Sequence, residues 1–194
     1  ILIFFVFNSF AFSQEFNFKT KKIEISENGK LINATNGKAV SSDGDLEISA
    51  NEFRYSKDEN ILSIYGNGVM LIKSQNLKIF FDNSVVDQNK LTIQANGNVK
   101  ILDKKTNLDI ISESIFYDQN LNYIKSDSKT NIKDSNQNNY LVDKFNYEIN
   151  KNLLKVENLI YKDLQGNIMQ TSLAYINTKT NRLFGKDISV DLNN

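Results

Sequence analysis

ISANEFRYSKDENILSIYGNGVMLI, residues 48–72, is the stretch whose pattern decides the fold. Its apolar side chains alternate with polar ones at a period of two, and β-branched and aromatic residues dominate, as in half-buried strands. Leu46, Ile48 and Ala50 share one face, and Phe53 and Tyr55 follow. The parity changes near Asn51–Glu52, as a bulge or bend makes it do in a long strand. SKDEN (56–60) reads as a turn and ILSIYG as the next run. GNG (66–68) reads as a second turn of the hairpin kind, followed by VMLI.

The pattern recurs about every thirty residues. Val40, Val69, Val99, Thr130, Ile160 and Ile188 each follow a turn-like segment, at steps of 29, 30, 31, 30 and 28. Leu46, Leu77 and Leu108 begin equivalent runs 31 apart, and Tyr140 and Ile168 continue the series. Polar turns sit between them at 56–60, 87–89, 118–120, 149–152 and 177–181. Each unit therefore reads strand, turn, strand, Gly/Asn turn, strand. Leu153, Val156, Ile160 and Leu164 would also fit a helical stripe, but the repeat register favours a strand. One apolar and one polar face per strand means that a sheet closes on itself or on another. Hairpin-like turns favour an antiparallel jelly roll over a parallel β-helix, which would stack similar residues at fixed corners.

Composition narrows the function. Apolar residues make up 40% and charged residues 24%, a globular balance. Lys plus Arg and Asp plus Glu are equal at 23 each, which argues against a nucleic-acid partner. His, Cys and Trp are absent. That removes imidazole and thiolate catalysis, disulfides and zinc–cysteine sites. Pro is absent too, so Asn, Asp, Gly and Ser must make the turns. The 29 Asn read as the mark of an A/T-biased genome.

The N-terminus reads ILIFFVF (1–7), then NSFAFSQ. This run is too short to span a bilayer as a helix, which needs about 20 residues. It fits the apolar core of a secretory signal, with Ala11 and Ser13 as the small residues before a cleavage site. Residues 1–13 are therefore expected to be a signal remnant, and residues 22–192 a single repeat-built domain.

The unit at 48–72 resembles the repeat of the OstA-like family of lipopolysaccharide-transport proteins. Ala50, Asn51, Tyr55, Asn60, Gly66, Asn67 and Val69 stand where that repeat has its marker residues. The next unit keeps Gly97, Asn98 and Val99, and the third keeps Ser112, Glu113 and Tyr117 but has 126–130 in place of Gly-Asn. The last two are anchored by Tyr147 and Tyr175 alone. The resemblance implies an all-β, antiparallel, open V-shaped jelly roll without cofactor or metal. Its apolar trough would shelter lipopolysaccharide acyl chains in the periplasm. It also implies neighbouring jelly-roll domains joined edge to edge, through strands near Lys22–Ser26 and Ile188–Leu192. The unit count and the ending GKDISVDLNN look most like the N-terminal domain of the LptD branch. A C-terminal outer-membrane barrel and its lipoprotein plug would then be further partners. A free bridge of the LptA branch is the alternative.

The expected trough lining is the inward apolar set: Leu46, Ile48, Phe53, Tyr55, Ile64, Val69, Leu71, Leu77, Ile79, Phe81, Ile93, Val99, Ile101, Ile110 and Tyr117. The same residues also read as an ordinary core, and the sequence leaves both roles open. Asp43, Asp45 and Glu47 lack the spacing of a calcium loop. Asp58 with Glu59, and Asp82 with Asp87, read as solvated turn charges rather than a glycosidase pair. Two other classes compete with a lipid carrier. A structural surface repeat would need near-identical units, and a carbohydrate-active enzyme would need a carboxylate cluster on one face.

Overall fold

A computed structural model describes residues 15–193. The signal expectation at 1–13 lies outside them. Seven long strands come first: β1 (Phe16–Ser26), β2 (Leu31–Ser41), β3 (Leu46–Ser56), β4 (Ile61–Ile72), β5 (Leu77–Asp87), β6 (Thr92–Asp103) and β7 (Leu108–Asp118). Four short ones follow: β8 (Tyr123–Ser126), β9 (Thr130–Lys133), β10 (Asn139–Val142) and β11 (Lys144–Glu148). The chain ends with β12 (Leu153–Lys162), β13 (Ile168–Asn177), β14 (Arg182–Lys186) and β15 (Ser189–Asp191). All belong to one 15-stranded sheet, and every pairing is antiparallel. The expected fold class, a repeat-built antiparallel jelly roll, is the one observed. Residues 153–162 form a strand and not a helix.

The sheet bends along a line through the middle of its strands. In β4 and β6 the bend is a two-residue kink, Gly66–Asn67 and Gly97–Asn98, with every φ positive. Opposite each kink the neighbouring strand supplies a single residue, so the pairing register shifts by one. That extra residue makes β4 and β6 twelve residues long, against eleven for β3, β5 and β7. The Gly/Asn segments are therefore not hairpin turns, as the sequence reading expects, but bulges inside continuous strands. The repeat unit is two long bent strands joined by two tight turns. Further along, the bend interrupts the strands outright: β8 and β9 are halves of one path, and so are β10 and β11. In consequence β7 and β12 each pair with both halves.

Asn makes this backbone possible. Among the described residues, eleven of the fifteen non-glycine residues with positive φ are Asn. They lie at the bends (Asn36, Asn67, Asn98, Asn158) and at the tight turns (Asn28, Asn60, Asn76, Asn107, Asn122, Asn152, Asn181). Asn tolerates the left-handed region better than other non-glycine residues, because its short polar side chain bonds locally. The Asn excess thus has a structural use whatever its origin in the genome. Leu91 breaks the rule: its φ is +54°, where the equivalent turns have Asn60, Asn122, Asn152 and Asn181. It opens no strand; β6 begins at Thr92.

The two halves of the bent sheet, the first arm and the second arm, face each other. Residues on their inner faces form one core cluster that includes Ile48, Met70, Ile79, Ile101 and Ile132 from the first arm. Tyr55, Leu62, Ile93, Ile124, Tyr147 and Leu154 meet them from the second.

Leu91→Asn is expected to stabilise the domain by about 1 kcal/mol, by relieving a left-handed Leu. Urea melts of the two proteins measure this; an equal or lower midpoint for the variant would show that the Leu91 side chain contributes more than its backbone costs.

Candidate functional site

The interior between the arms is the apolar site of this chain. Thirteen of the fifteen expected lining residues are buried there, and Ile48, Ile64, Ile79 and Val99 are wholly so. Val69 and Leu71 are not. Both are half-exposed and point outward, while Met70 and Ile72 point inward in their place. β4 keeps one parity through the kink, with Leu62, Ile64, Gly68, Met70 and Ile72 all buried, so the inner face does not switch between Ile64 and Val69 as the expected set requires. Gly68, not Val69, is the true counterpart of Val99. A Cβ on Gly68 would fall inside the Phe81 ring, which fills that place instead.

Beyond Tyr117 the same inner rows continue through Ile132, Tyr140, Phe145, Tyr147, Val156 and Ile176, all buried. Sequence reasoning did not place these in the site. The signal was available: Tyr55, Tyr117 and Tyr147 fall near the same repeat position. The broken strands at 126–130 and at Asp143 hid the register.

Along its length the interior is filled by its own side chains. Near the bend a hydroxyl cluster replaces apolar packing. Ser112 Oγ and Ser126 Oγ lie 2.9 Å apart, and Thr130 Oγ1 donates to Ser112 Oγ at 3.0 Å. The far edges of the arms also meet. Phe16 of the first arm stands edge-on to Tyr55 of the second, with ring centroids 5.7 Å apart. Tyr147 Oη of the second arm donates to the Asp103 carboxylate of the first at 2.6 Å. Burial first, and then this hydrogen bond, push the Tyr147 hydroxyl up to about 12, so it remains a donor at neutral pH.

At its two ends the interior is open. Among the described residues β1 pairs on one side only, with β2, and β14 and β15 pair only with β13. Ile23 and Ile25 pair with Ala34 and Ile32, which are buried in the core, so they share that inner face. They are nonetheless 48% and 62% exposed, because no further strand covers them. Val190, opposite Met169, is 58% exposed at the other end. Unpaired backbone and bare inner-face hydrophobics therefore coincide at both edges.

The carboxylates set aside in the sequence are engaged in structure. Glu47 pairs with Lys38 and Lys73, and Asp45 accepts from the Ser74 hydroxyl and backbone N–H. Asp82 accepts from Asn98 Nδ2 across the bend at 2.8 Å. Among the described residues no cluster of three His, Cys, Asp or Glu could hold a metal.

A bent antiparallel sheet with an apolar interior that reaches two edges paired on one side only defines an open β-repeat module. The family model for OstA-like protein matches residues 45–170, more than half of the chain, and the chain belongs to that family. As a member of it, the chain is not an enzyme. Among solved structures it is similar to LptH of Pseudomonas aeruginosa, described as the LptA-homologous periplasmic component of the conserved lipopolysaccharide transport device. The two share 9% identity over 77% of this chain and 95% of that one, with a TM-score of 0.34. That score is too low to carry individual strand positions from one chain to the other. Among curated proteins nothing matches.

Gly68→Ala is expected to destabilise the domain by about 1–3 kcal/mol, the range for overpacking a filled core. Thermal melts measure it. A variant as stable as the parent would mean that the Phe81 ring shifts without loss.

Proposed function

We propose that this chain is a periplasmic lipid-transport module that shelters the acyl chains of lipopolysaccharide between its two arms. The observation that carries the reading is the apolar interior that runs through the domain and stays bare at both edges. An acyl chain in water loses about 0.8 kcal/mol for each exposed CH₂, so an apolar path removes the main barrier to crossing an aqueous compartment. Repeated Ile, Leu and Val positions give nearly equal sites along the path, which suits passage better than one deep site.

Within that role the chain acts as the N-terminal periplasmic domain of an LptD-type translocon and hands lipid towards the outer membrane. A downstream barrel and its lipoprotein plug are the partners on that side. Export by the segment Ile1–Phe7, with a signal ending near Ser13, delivers it to the periplasm. The strands near Lys22–Ser26 and Ile188–Leu192 pair with neighbouring jelly-roll domains by strand addition. The two unpaired edges equally favour a bridging domain of LptA type, flanked on both sides.

Purified chain should bind fluorescent lipopolysaccharide saturably. Free lipid A should displace the label, while fully deacylated lipopolysaccharide should not. Equal displacement by the deacylated saccharide would mean that the protein recognises sugar, and the acyl-chain reading would fall.

A further inference from the structure

The interior is closed along its length by side chains of the two arms, so cargo that enters from the side must part them. Polar contacts cross the meeting line of the arms at several places. Asn181 Nδ2 of the second arm donates to Ser135 Oγ of the first at 3.2 Å, in an exposed position. Lys57 Nζ and Glu15 stand 3.9 Å apart, also exposed. The bond from Tyr147 Oη to Asp103 is different in kind, because both residues are buried, Tyr147 wholly and Asp103 to within 2%. Hydrogen bonds to ionised acceptors are about twice as strong as neutral ones.

The repeat shows that this bond is an addition to the fold. Asp103 follows Ser41 and Ile72 at steps of 31, so an apolar residue serves the same place one unit earlier. Tyr117, at the position equivalent to Tyr147, donates to Asn122 on its own arm. Tyr147 donates across the gap instead.

Each partner also keeps a place to go when the bond breaks. The Asp103 carboxylate accepts from Thr106 Oγ1 at 2.9 Å and from the Lys105 N–H at 2.8 Å, both in its own turn. Tyr147 Oη has Thr178 Oγ1 at 3.5 Å on its own arm. Breaking a buried bond is expensive chiefly because it strands a desolvated group, and here neither group is stranded. A contact that exists only to stabilise has no need of such fallback partners.

We infer that the Tyr147–Asp103 bond is a reversible clasp: closed, it seals the apolar interior; released, it lets the arms part and admits an acyl chain from the side. This inference rests on the lipid-carrier reading above.

The test uses the full chain and cis-parinaric acid, a fluorescent polyene fatty acid. Tyr147→Phe keeps the buried ring and removes the hydroxyl alone. It should take up the probe on the order of tenfold faster, the size expected for loss of one hydrogen bond to a carboxylate. The chain has no cysteine, so a Ser135→Cys, Asn181→Cys pair can be oxidised selectively to bolt the arms together. The oxidised protein should take up the probe at least about tenfold more slowly than the same protein reduced, and reductant should restore the rate. Equal uptake by both forms would overturn the clasp while leaving the carrier reading intact, since the probe would still bind. An unchanged rate for Tyr147→Phe would overturn it as well, by showing that another contact holds the arms. Failure of the unmodified chain to bind the probe at all would remove the carrier reading, and the clasp with it.

Discussion

Everything in this domain depends on the bend that each long strand makes at its middle. A flat sheet of such strands would leave one whole apolar face in water. Bent along a common line, the same sheet closes that face on itself and needs no second sheet. The bend requires backbone in the left-handed region, and Asn36, Asn67, Asn98 and Asn158 supply it. It also requires that one strand be a residue longer than its neighbour, which Gly66–Asn67 and Gly97–Asn98 provide. Asn98 then ties the bend by donating to Asp82, and Asn158 does the same to Asp143 at 2.9 Å. With neither Pro nor Cys in the chain, the fold rests on these bulges and on burial.

Much of this was legible in the sequence. The thirty-residue period, the strand alternation and the parity change at Asn51–Glu52 all correspond to structure. The nature of the Gly/Asn segments did not come through, because a kink with positive φ and a hairpin turn draw on the same residues. Val69 and Leu71 were misplaced because GNGV at 66–69 is one residue longer than GNV at 97–99, so Gly68 and not Val69 holds the place of Val99, and Met70 and Ile72 follow it inward. Val99 and Ile101 escaped the error because there the face of Ile93 and Ala95 continues straight through the kink, as the alternation suggests. The later interior, from Ile132 to Ile176, was hidden because Ser, Asp and Thr at 126–130 replace the Gly-Asn marker. The Tyr147–Asp103 contact was beyond reach, for it joins residues 44 apart on opposite arms.

The same geometry links fold to role. A closed barrel would have no edges, and a flat sheet would have no interior. A bent open sheet has both: an apolar interior and, among the described residues, two edges that pair on one side only. The bare inner faces of Ile23, Ile25 and Val190 show the interior running out to those edges. The buried polar side chains lie at the bend, as Ser112 and Thr130 do, or at the turns, as Asp103 and Asp134 do, so the surface between them that acyl chains would meet is nearly uniform. In the carrier reading, binding alone gives no direction, so movement along the path draws on energy supplied elsewhere.

The account stands or falls on whether lipid reaches the space between the arms. The most direct measurement is photo-crosslinking in cells that make lipopolysaccharide, with a photoreactive residue at Ile79 and, separately, at Lys78. Ile79 lies wholly within the interior and Lys78 on the outer face beside Phe80. The account predicts a lipopolysaccharide adduct from position 79 and none from 78. An adduct from neither position, in protein that is folded, exported and joined to its neighbours, would contradict it.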